Sequence, residues 1–501
     1  MNRTTKIWLL FSGIIIFAAF LRLYHITTTP TGLYPDEAMD GNNALEVIQT
    51  GHFKVFYTED NGREGLYVNT LVFFIEAFGN KPWVVRLPAA LTGILTVAGM
   101  YFLGAELFGA ETGLLAAFLL ATCFWHIDLS RVGFRAIMAP LCLIWTLYFL
   151  LRSFRTKKEL HAYIFAIIGG IIFGAGFYTY IAYRVTPLLL LLFIPFFRKC
   201  PNFWRRTGIF VAATFLVALP LGLYFLHNPG DFFGRTAQIS VTNAKNPLAE
   251  FALNAGKTFA MFNFRGDGNW RQNIAGAPEL FLPVGLLFLL GIILAITNLS
   301  RSARKKKKVE MTENENKNSS LLLPVFSVLL LFAWFILAIL PAAASDEGIP
   351  HALRSILTLP PAIFFAALAG VWSYRILRDN GFKKTALTFA TIFIVVVGIN
   401  AYTSYFIVWA KNQNVYWAFN ENYVETGNAM NALPQNTQKY VVVTAGGVPA
   451  RGIPVPAETV MFVTNSFTTS TQISNHITYL LPDQTSTIPL GTPTDTIFYV
   501  N

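Results

Sequence analysis

The run IWLLFSGIIIFAAFLRLY, residues 7–24, decides the fold. It carries no charge before Arg22 and is long enough to cross a bilayer as a helix, which takes about 20 apolar residues. The basic start MNRTTK gives it the look of a signal peptide. No small-residue cleavage site follows, and Leu21-Arg22-Leu23-Tyr24-His25 stands there instead, so it is read as an uncleaved first span. Working outward, apolar blocks of this kind recur along the chain. Eleven spans are predicted, at about 7–24, 84–107, 111–127, 136–151, 162–181, 185–197, 208–226, 281–299, 321–341, 352–374 and 385–409. The composition agrees. Of 501 residues 54% are hydrophobic and only 13% charged, more apolar surface than soluble cores of this size bury. The expected class is an α-helical polytopic membrane protein.

The net charge of +11 raises the question of a nucleic acid, and the position of the charge answers it. Arg152/Arg155/Lys157/Lys158, Arg198/Lys199/Arg205/Arg206, the run Arg301–Lys308 and Arg375/Arg378/Lys383/Lys384 sit in short loops, all on one side with the N-terminus. By the positive-inside bias that side is cytoplasmic, and no nucleic-acid partner is expected. The run Arg304–Lys308 reads as a cytoplasmic loop able to touch anionic lipid. An odd number of spans puts the C-terminus outside a plasma (inner) membrane. The spans and their loops form one domain, 1–410, with external loops at about 25–83 and 227–280. The tail, 411–501, reads as a small extracytoplasmic α/β domain. It has an amphipathic stretch over Tyr416–Leu433 and strand-like runs at Tyr440–Thr444, Val460–Thr464 and Thr496–Val500. The polar segment Glu310–Ser320 reads as disordered. Gly170-x-x-x-Gly174 reads as ordinary close packing of membrane helices. Cys123, Cys142 and Cys200 show neither metal-ligand spacing nor a disulfide framework.

Two clusters in the first external loop carry possible chemistry. The first is Tyr34-Pro35-Asp36-Glu37-Ala38. A carboxylate partly desolvated beside a membrane surface has a raised pKa and makes a useful general base. The same residues also fit a helix N-terminus, and the two readings are compatible. The second cluster, Tyr57-Thr58-Glu59-Asp60-Asn61-Gly62-Arg63-Glu64-Gly65, reads either as site-lining or as a polar turn. Asp128, in the turn between the third and fourth spans, is placed to face Asp36. Arg22, Arg86, Arg131, Arg135, Arg184 and Arg354 all fall at outer helix ends, where basic residues are disfavoured. The planar guanidinium suits phosphate oxygens at a dehydrated site. Taken together these arginines suggest a phosphate-linked substrate arriving from the lipid. The alternative is that they snorkel to lipid headgroups or pair with the nearby acids. No Walker loop, dinucleotide fingerprint, zinc-protease motif or nucleophile elbow is present. No cofactor or metal site is evident, and a divalent metal is left open.

In these residues the chain resembles the GT-C membrane glycosyltransferases of the family 39 type. These include the protein O-mannosyltransferases, the lipid A aminoarabinose transferases and the RgtA/B/C/D-like proteins. The resemblance runs through Arg22, Asp36-Glu37, Trp83-Val84-Val85-Arg86-Leu87-Pro88 and Ser130-Arg131, then Tyr178-Thr179-Tyr180-Ile181-Ala182-Tyr183-Arg184 and His351-Ala352-Leu353-Arg354, and covers about residues 1–410. It implies transfer of a hexosyl or pentosyl group from a polyprenyl-phosphate carrier to an acceptor hydroxyl on the outer face, with inversion. It implies Asp36 as general base with Glu37 beside it, and Arg22, Arg86, Arg131, Arg184 and Arg354 as candidates to hold the donor phosphate. Arg63, Glu64, Asp128 and Tyr180 are then candidates to line the site or the acceptor path. The chain departs from its relatives at Asn61-Gly62-Arg63-Glu64-Gly65, where many have a Lys/His-Pro-Pro segment. The acceptor, whether glycan, lipid or protein, is therefore left open, as is the sugar. Membrane lipids are the remaining expected partner. The rival readings are a transporter or lipid flippase and a polytopic scaffold. Transporters place ionisable groups near the bilayer midplane. Here the spans are nearly free of them, and the acids crowd one face.

Overall fold

Asn2 accepts the Thr5 backbone N–H at 2.7 Å and so caps α1 (Arg3–Leu23). The computed structural model describes residues 2–309, 318–488 and 496–501, without the side chains of 303–309, 318–324 and 487. After α1 the chain forms α2 (Pro35–Thr50), a short antiparallel pair β1 (Phe56–Tyr57) and β2 (Arg63–Glu64), and α3 (Leu66–Phe78). The bundle continues with α4 (Pro82–Phe108), α5 (Ala110–Thr122), α6 (Phe124–Leu129), α7 (Met138–Arg155) and α8 (Glu159–Gly176). Two short helices, α9 (Pro187–Leu190) and α10 (Phe193–Phe197), precede α11 (Phe203–His227). The second long connection holds α12 (Pro229–Gln238) and α13 (Pro247–Ala260). Then come α14 (Leu282–Val309), α15 (Asn318–Ala343), α16 (Leu359–Asp379) and α17 (Lys383–Tyr402), the last running on as a π-helical turn, Thr403–Trp409.

Among the described residues nine helices are long and apolar enough to cross a membrane. They coincide with nine of the eleven predicted spans. The third predicted span falls on α5 and α6, which break at Cys123, and the sixth on the short apolar stretch Ile181–Phe197. α3 is apolar but only 13 residues long, and lies inside what the sequence presents as a loop. The run Arg304–Lys308, expected in a loop, belongs to the last turns of α14. Its side chains, and Glu310–Lys317 of the segment expected to be disordered, lie outside the described residues. Gly174 lets α8 meet α11 closely, since a Cβ there would sit 2.8 Å from the Thr214 carbonyl oxygen.

The tail begins with α18 (Gln413–Ala418) and α19 (Glu421–Asn431). There follow β3 (Lys439–Val443), β4 (Pro449–Ala450), β5 (Ile453–Pro454), α20 (Glu458–Val463), α21 (Thr469–Ser474), β6 (Ile477–Leu480) and β7 (Thr496–Val500). Its main sheet is parallel in the order β6-β3-β7, with Val441 opposite Tyr479 and Phe498. The strand expected at Val460–Thr464 is therefore a correction: that run is α20, and the missing strand is β6. Short apolar runs carry no decisive period, and here burial against α2 settles the matter. Met39 of α2 belongs to the tail's hydrophobic core. Asn42 of α2 donates to the Glu458 carboxylate at 2.7 Å, and Thr459 donates to the Leu33 carbonyl at 2.9 Å. The tail thus holds the segment that carries Asp36. Thr459→Val leaves the buried Leu33 carbonyl without that donor. It is expected to cost about 1–2 kcal/mol in unfolding measured in detergent.

Candidate active site

The site is organised around the first turn of α2. Tyr34 is the N-cap, Pro35 opens the helix at the position where a missing N–H costs least, and the Glu37 carboxylate accepts the Tyr34 N–H at 3.1 Å. Both Glu37 oxygens are then taken. Oε1 accepts from Arg86 Nε at 2.9 Å and the Gly133 N–H at 2.7 Å, and Oε2 accepts from Arg86 Nη2 at 3.2 Å. The rest of the Arg86 guanidinium donates to the Pro30 and Gly32 carbonyls. Glu37 and Arg86 form a closed, solvent-free pin. One residue earlier, about 100° round the helix, Asp36 is partly exposed and lines a cavity of about 1230 Å³. The adjacent acids therefore divide their work: Glu37 fixes the turn and Asp36 faces the open space.

Burial, and then the Asp60 carboxylate, push the Asp36 carboxyl up from its ordinary 3.8 to about 7, with Arg271 and Arg63 pulling the other way. Among the described residues no hydrogen bond ties its oxygens down. Asp60 is delivered by a sharp turn in which Asp60, Asn61 and Gly62 all have positive φ. One turn along α2, Asp40 accepts from Arg63 Nη1 at 2.7 Å, and Asn43 accepts from Nη2 at 2.8 Å. This buried pair fastens the Asp60 turn to α2 beside the cavity.

The predicted arginines fall into two groups. Arg184 and Arg354 line the cavity. Arg184 pairs with Glu64 at 3.4 Å and lies over the Phe232 ring at 4.2 Å, and Arg354 pairs with Glu347 at 3.0 Å. Arg22, Arg86 and Arg131 lie in the interior, off the cavity lining. Arg22 donates to the carbonyls of Ala18, Leu120 and Ala121 and meets His126 Nδ1 at 2.7 Å. Arg131 donates to the Leu21 and Thr29 carbonyls and lies over the Tyr405 and Phe406 rings. Arg22 and Arg131 take up carbonyls at the ends of α5 and α1, which have no partner of their own, and Arg86 ties the loop before α2 to Glu37. Arg63, Glu64 and Tyr180 line the cavity, and Arg135 lies over the Tyr180 ring at 5.9 Å while pairing with Glu64. Asp128 is a correction. It is fully buried, and its charged neighbours are Glu37, Arg131, Asp267 and Arg86 rather than Asp36.

The sequence reading missed the cations that come from the second long connection. Lys257, Arg265 and Arg271 line the cavity, and among the described residues none has a carboxylate within ion-pair distance. Arg271 is the best placed. Its Nε donates to Asn269 Oδ1 at 3.2 Å, and its guanidinium stacks on the Tyr34 ring at 3.9 Å, next to Asp36. Burial, then the Asp36 carboxylate, push the Tyr34 hydroxyl up to about 12, so it stays protonated. Contacts with the π-helical turn and with the Ala352 backbone help to hold the loop in place. Trp409 in the π-helical turn donates to the Trp270 carbonyl at 2.8 Å, and Asp267 accepts the Ala352 N–H at 2.7 Å. Available signals were the basic residues of Asn263–Asn273 set among Gly and Asn, on the same side as the acids. In all, eight Lys or Arg and six Asp or Glu line the cavity, so it favours an anionic guest. Among the described residues no group of three or more His, Cys, Asp or Glu is arranged to hold a metal ion.

The family described as dolichyl-phosphate-mannose-protein mannosyltransferase matches residues 67–224, less than half of the chain. No curated protein matches it. In structure the chain resembles ArnT from Cupriavidus metallidurans bound to undecaprenyl phosphate. The two are 13% identical, with a TM-score of 0.55 over 92% of this chain and 85% of that one. It also resembles the Archaeoglobus fulgidus oligosaccharyltransferase tethered with an acceptor peptide, at 13% identity and a TM-score of 0.53 over 96% of this chain and 64% of that one. A further match is the archaeal AglB from the same organism in complex with an inhibitory peptide and a dolichol-phosphate, at 13% identity and a TM-score of 0.53, covering 93% and 64%. The fold is of the GT-C type.

Proposed function

We propose that this chain, a GT-C membrane glycosyltransferase by fold and by its family match over residues 67–224, moves a sugar from a polyprenyl-phosphate carrier to an acceptor hydroxyl on the outer face of the membrane. The observation that carries the reading is a cavity that holds both an untethered carboxyl, Asp36, and the cations Lys257, Arg265 and Arg271, which among the described residues have no carboxylate within ion-pair distance. The outer-face assignment rests on the basic loops at the opposite end of the bundle.

The chemistry needs few groups. Phosphate is already a good leaving group, so no strong acid is required. Asp36 takes the proton of the acceptor hydroxyl, whose oxygen attacks the anomeric carbon as the bond to the phosphate oxygen breaks. Arg271, with Lys257 and Arg265, holds the charge that collects on the departing phosphate. Direct displacement inverts the anomeric centre. The tight Arg–Glu pairs of the cavity wall, Arg184–Glu64 and Arg354–Glu347, fix the shape around it. Arg63, Glu64 and Tyr180 line the same cavity as Asp36 and are assigned to the acceptor.

The test is release of undecaprenyl phosphate by the purified protein from a panel of undecaprenyl-phosphate hexoses and pentoses, with envelope glycans, lipids and proteins supplied as acceptors. Release that depends on an acceptor supports the reading, and none across the whole panel contradicts it. With Asp36 as base, kcat/KM is expected to rise about tenfold per pH unit below about pH 7 and to level off above it, because only the ionised carboxylate accepts the proton. Stability runs the opposite way. The folded form keeps the Asp36 proton that the unfolded chain releases near 3.8, so this contribution is complete at lower pH and is lost as pH rises through about 7.

A further inference from the structure

A second, larger space lies away from the polar cavity. Between α1, α5, α16 and α17 runs an apolar groove of about 1490 Å³. Along α1 it extends from Lys6 to Phe20, about 21 Å at the helical rise, so within a hydrocarbon core of about 30 Å it starts at one surface and passes the midplane. Phe17, Leu115 and Phe393 are among its walls. Two glycines keep it open. A Cβ on Gly13 would meet nothing within 4 Å, and one on Gly398 would reach only the Phe17 ring, at 3.8 Å. Neither glycine is therefore small in order to let helices touch.

The ends of the groove differ. Phe20 and Tyr402 close the end nearer Asp36, and Lys6, Glu111 and Arg378 form the far end. Glu111 is taken by Arg375 at 2.7 Å and approached by Arg3 at 3.9 Å, and Arg378 pairs with Asp379. Lys6 is exposed and has no acidic partner among the described residues, and Lys383 and Lys384 open α17 at the same end. The far end is thus strongly cationic, while the walls are mainly apolar.

We propose that this groove binds an anionic glycerophospholipid, with an acyl chain along α1 and α17 and its headgroup phosphate at Lys6 and Arg378. The chain fills apolar space that only hydrocarbon suits, and the basic end selects the headgroup. The site stands at the opposite end of the bundle from Asp36 and is separate from the cavity proposed for the carrier phosphate.

The experiment is native mass spectrometry of the delipidated full chain titrated with dioleoyl-phosphatidylglycerol and dioleoyl-phosphatidylcholine. The wild type is expected to retain one phosphatidylglycerol with about a thirtyfold preference, the size two basic groups beside a headgroup support. Lys6→Glu is expected to erase that preference. Gly13→Phe and, independently, Gly398→Leu fill the groove and are expected to abolish retention while undecaprenyl phosphate still binds as in the wild type. Equal retention of the two lipids by the wild type, or undiminished retention in both filled variants, overturns the proposal.

Discussion

Asp36→Asn is expected to lower sugar transfer by about 10²- to 10⁴-fold, the range a positioned general base contributes, while leaving undecaprenyl phosphate binding unchanged. The amide has the shape of the protonated carboxyl but cannot take the acceptor's proton. Folding is expected to survive, because Glu37 and not Asp36 carries the hydrogen bonds that fix the start of α2. Above pH 7 the variant is expected to melt at a higher temperature than the wild type, since it removes a carboxylate that burial and Asp60 disfavour. Below about pH 4 the two are expected to converge. Transfer kinetics and thermal melts across pH check both halves. A variant that transfers sugar normally removes Asp36 as the base.

Arg271→Ala is expected to lower kcat/KM by about 10²- to 10³-fold, as loss of one fixed charge-stabilising donor does. Undecaprenyl phosphate binding should weaken with it. Arg271 is stacked on Tyr34 and held by Asn269, so its guanidinium is oriented before any ligand arrives. It also pulls the Asp36 pKa down, so its removal is expected to move the midpoint of the pH–rate profile upward. An arginine without charge coupling to Asp36 would leave that midpoint in place. Arg271→Lys keeps the charge but loses the planar fork, and an intermediate rate is expected.

The spans were legible because lipid leaves a chain few choices. Every backbone polar group must be paired inside the segment, so a long apolar run is a helix. The limits of that reasoning show at Cys123 and at Ile181–Phe197, where helices shorten or break, and at Leu66–Phe78, an apolar helix too short to announce itself as one. Val460–Thr464 misled for a related reason. A five-residue run of this kind fits strand and helix equally, and its contacts with α2, Phe462 against Gly41 and Val460 and Met461 with Met39, come from residues some 400 positions away.

Asp36 was legible as a candidate because an acidic pair beside a membrane surface calls for an explanation. Which of the pair faces the cavity was not, since it depends on the rotation of α2 and on Arg86 closing over Glu37. Arginine proved ambiguous in a physical sense. A guanidinium at a helix end serves a phosphate or the unpaired carbonyls of neighbouring helices equally well. Arg22 and Arg131 serve carbonyls, and Arg86 serves carbonyls and Glu37. Lys257, Arg265 and Arg271 were passed over because they lie in a long polar connection, where basic residues attract no notice. Only the folded connection, pinned by Trp409 and by Asp267, brings Arg271 to Asp36 and the other two into the same cavity.

The most direct measurement is a structure of the protein with undecaprenyl phosphate bound. The expected result puts the phosphate inside the polar cavity, within hydrogen-bond reach of Arg271 and on the same side as Asp36. A phosphate seated elsewhere, at Lys6 in the apolar groove or at any place from which Asp36 could not reach a hydroxyl attacking the linked sugar, would contradict the account.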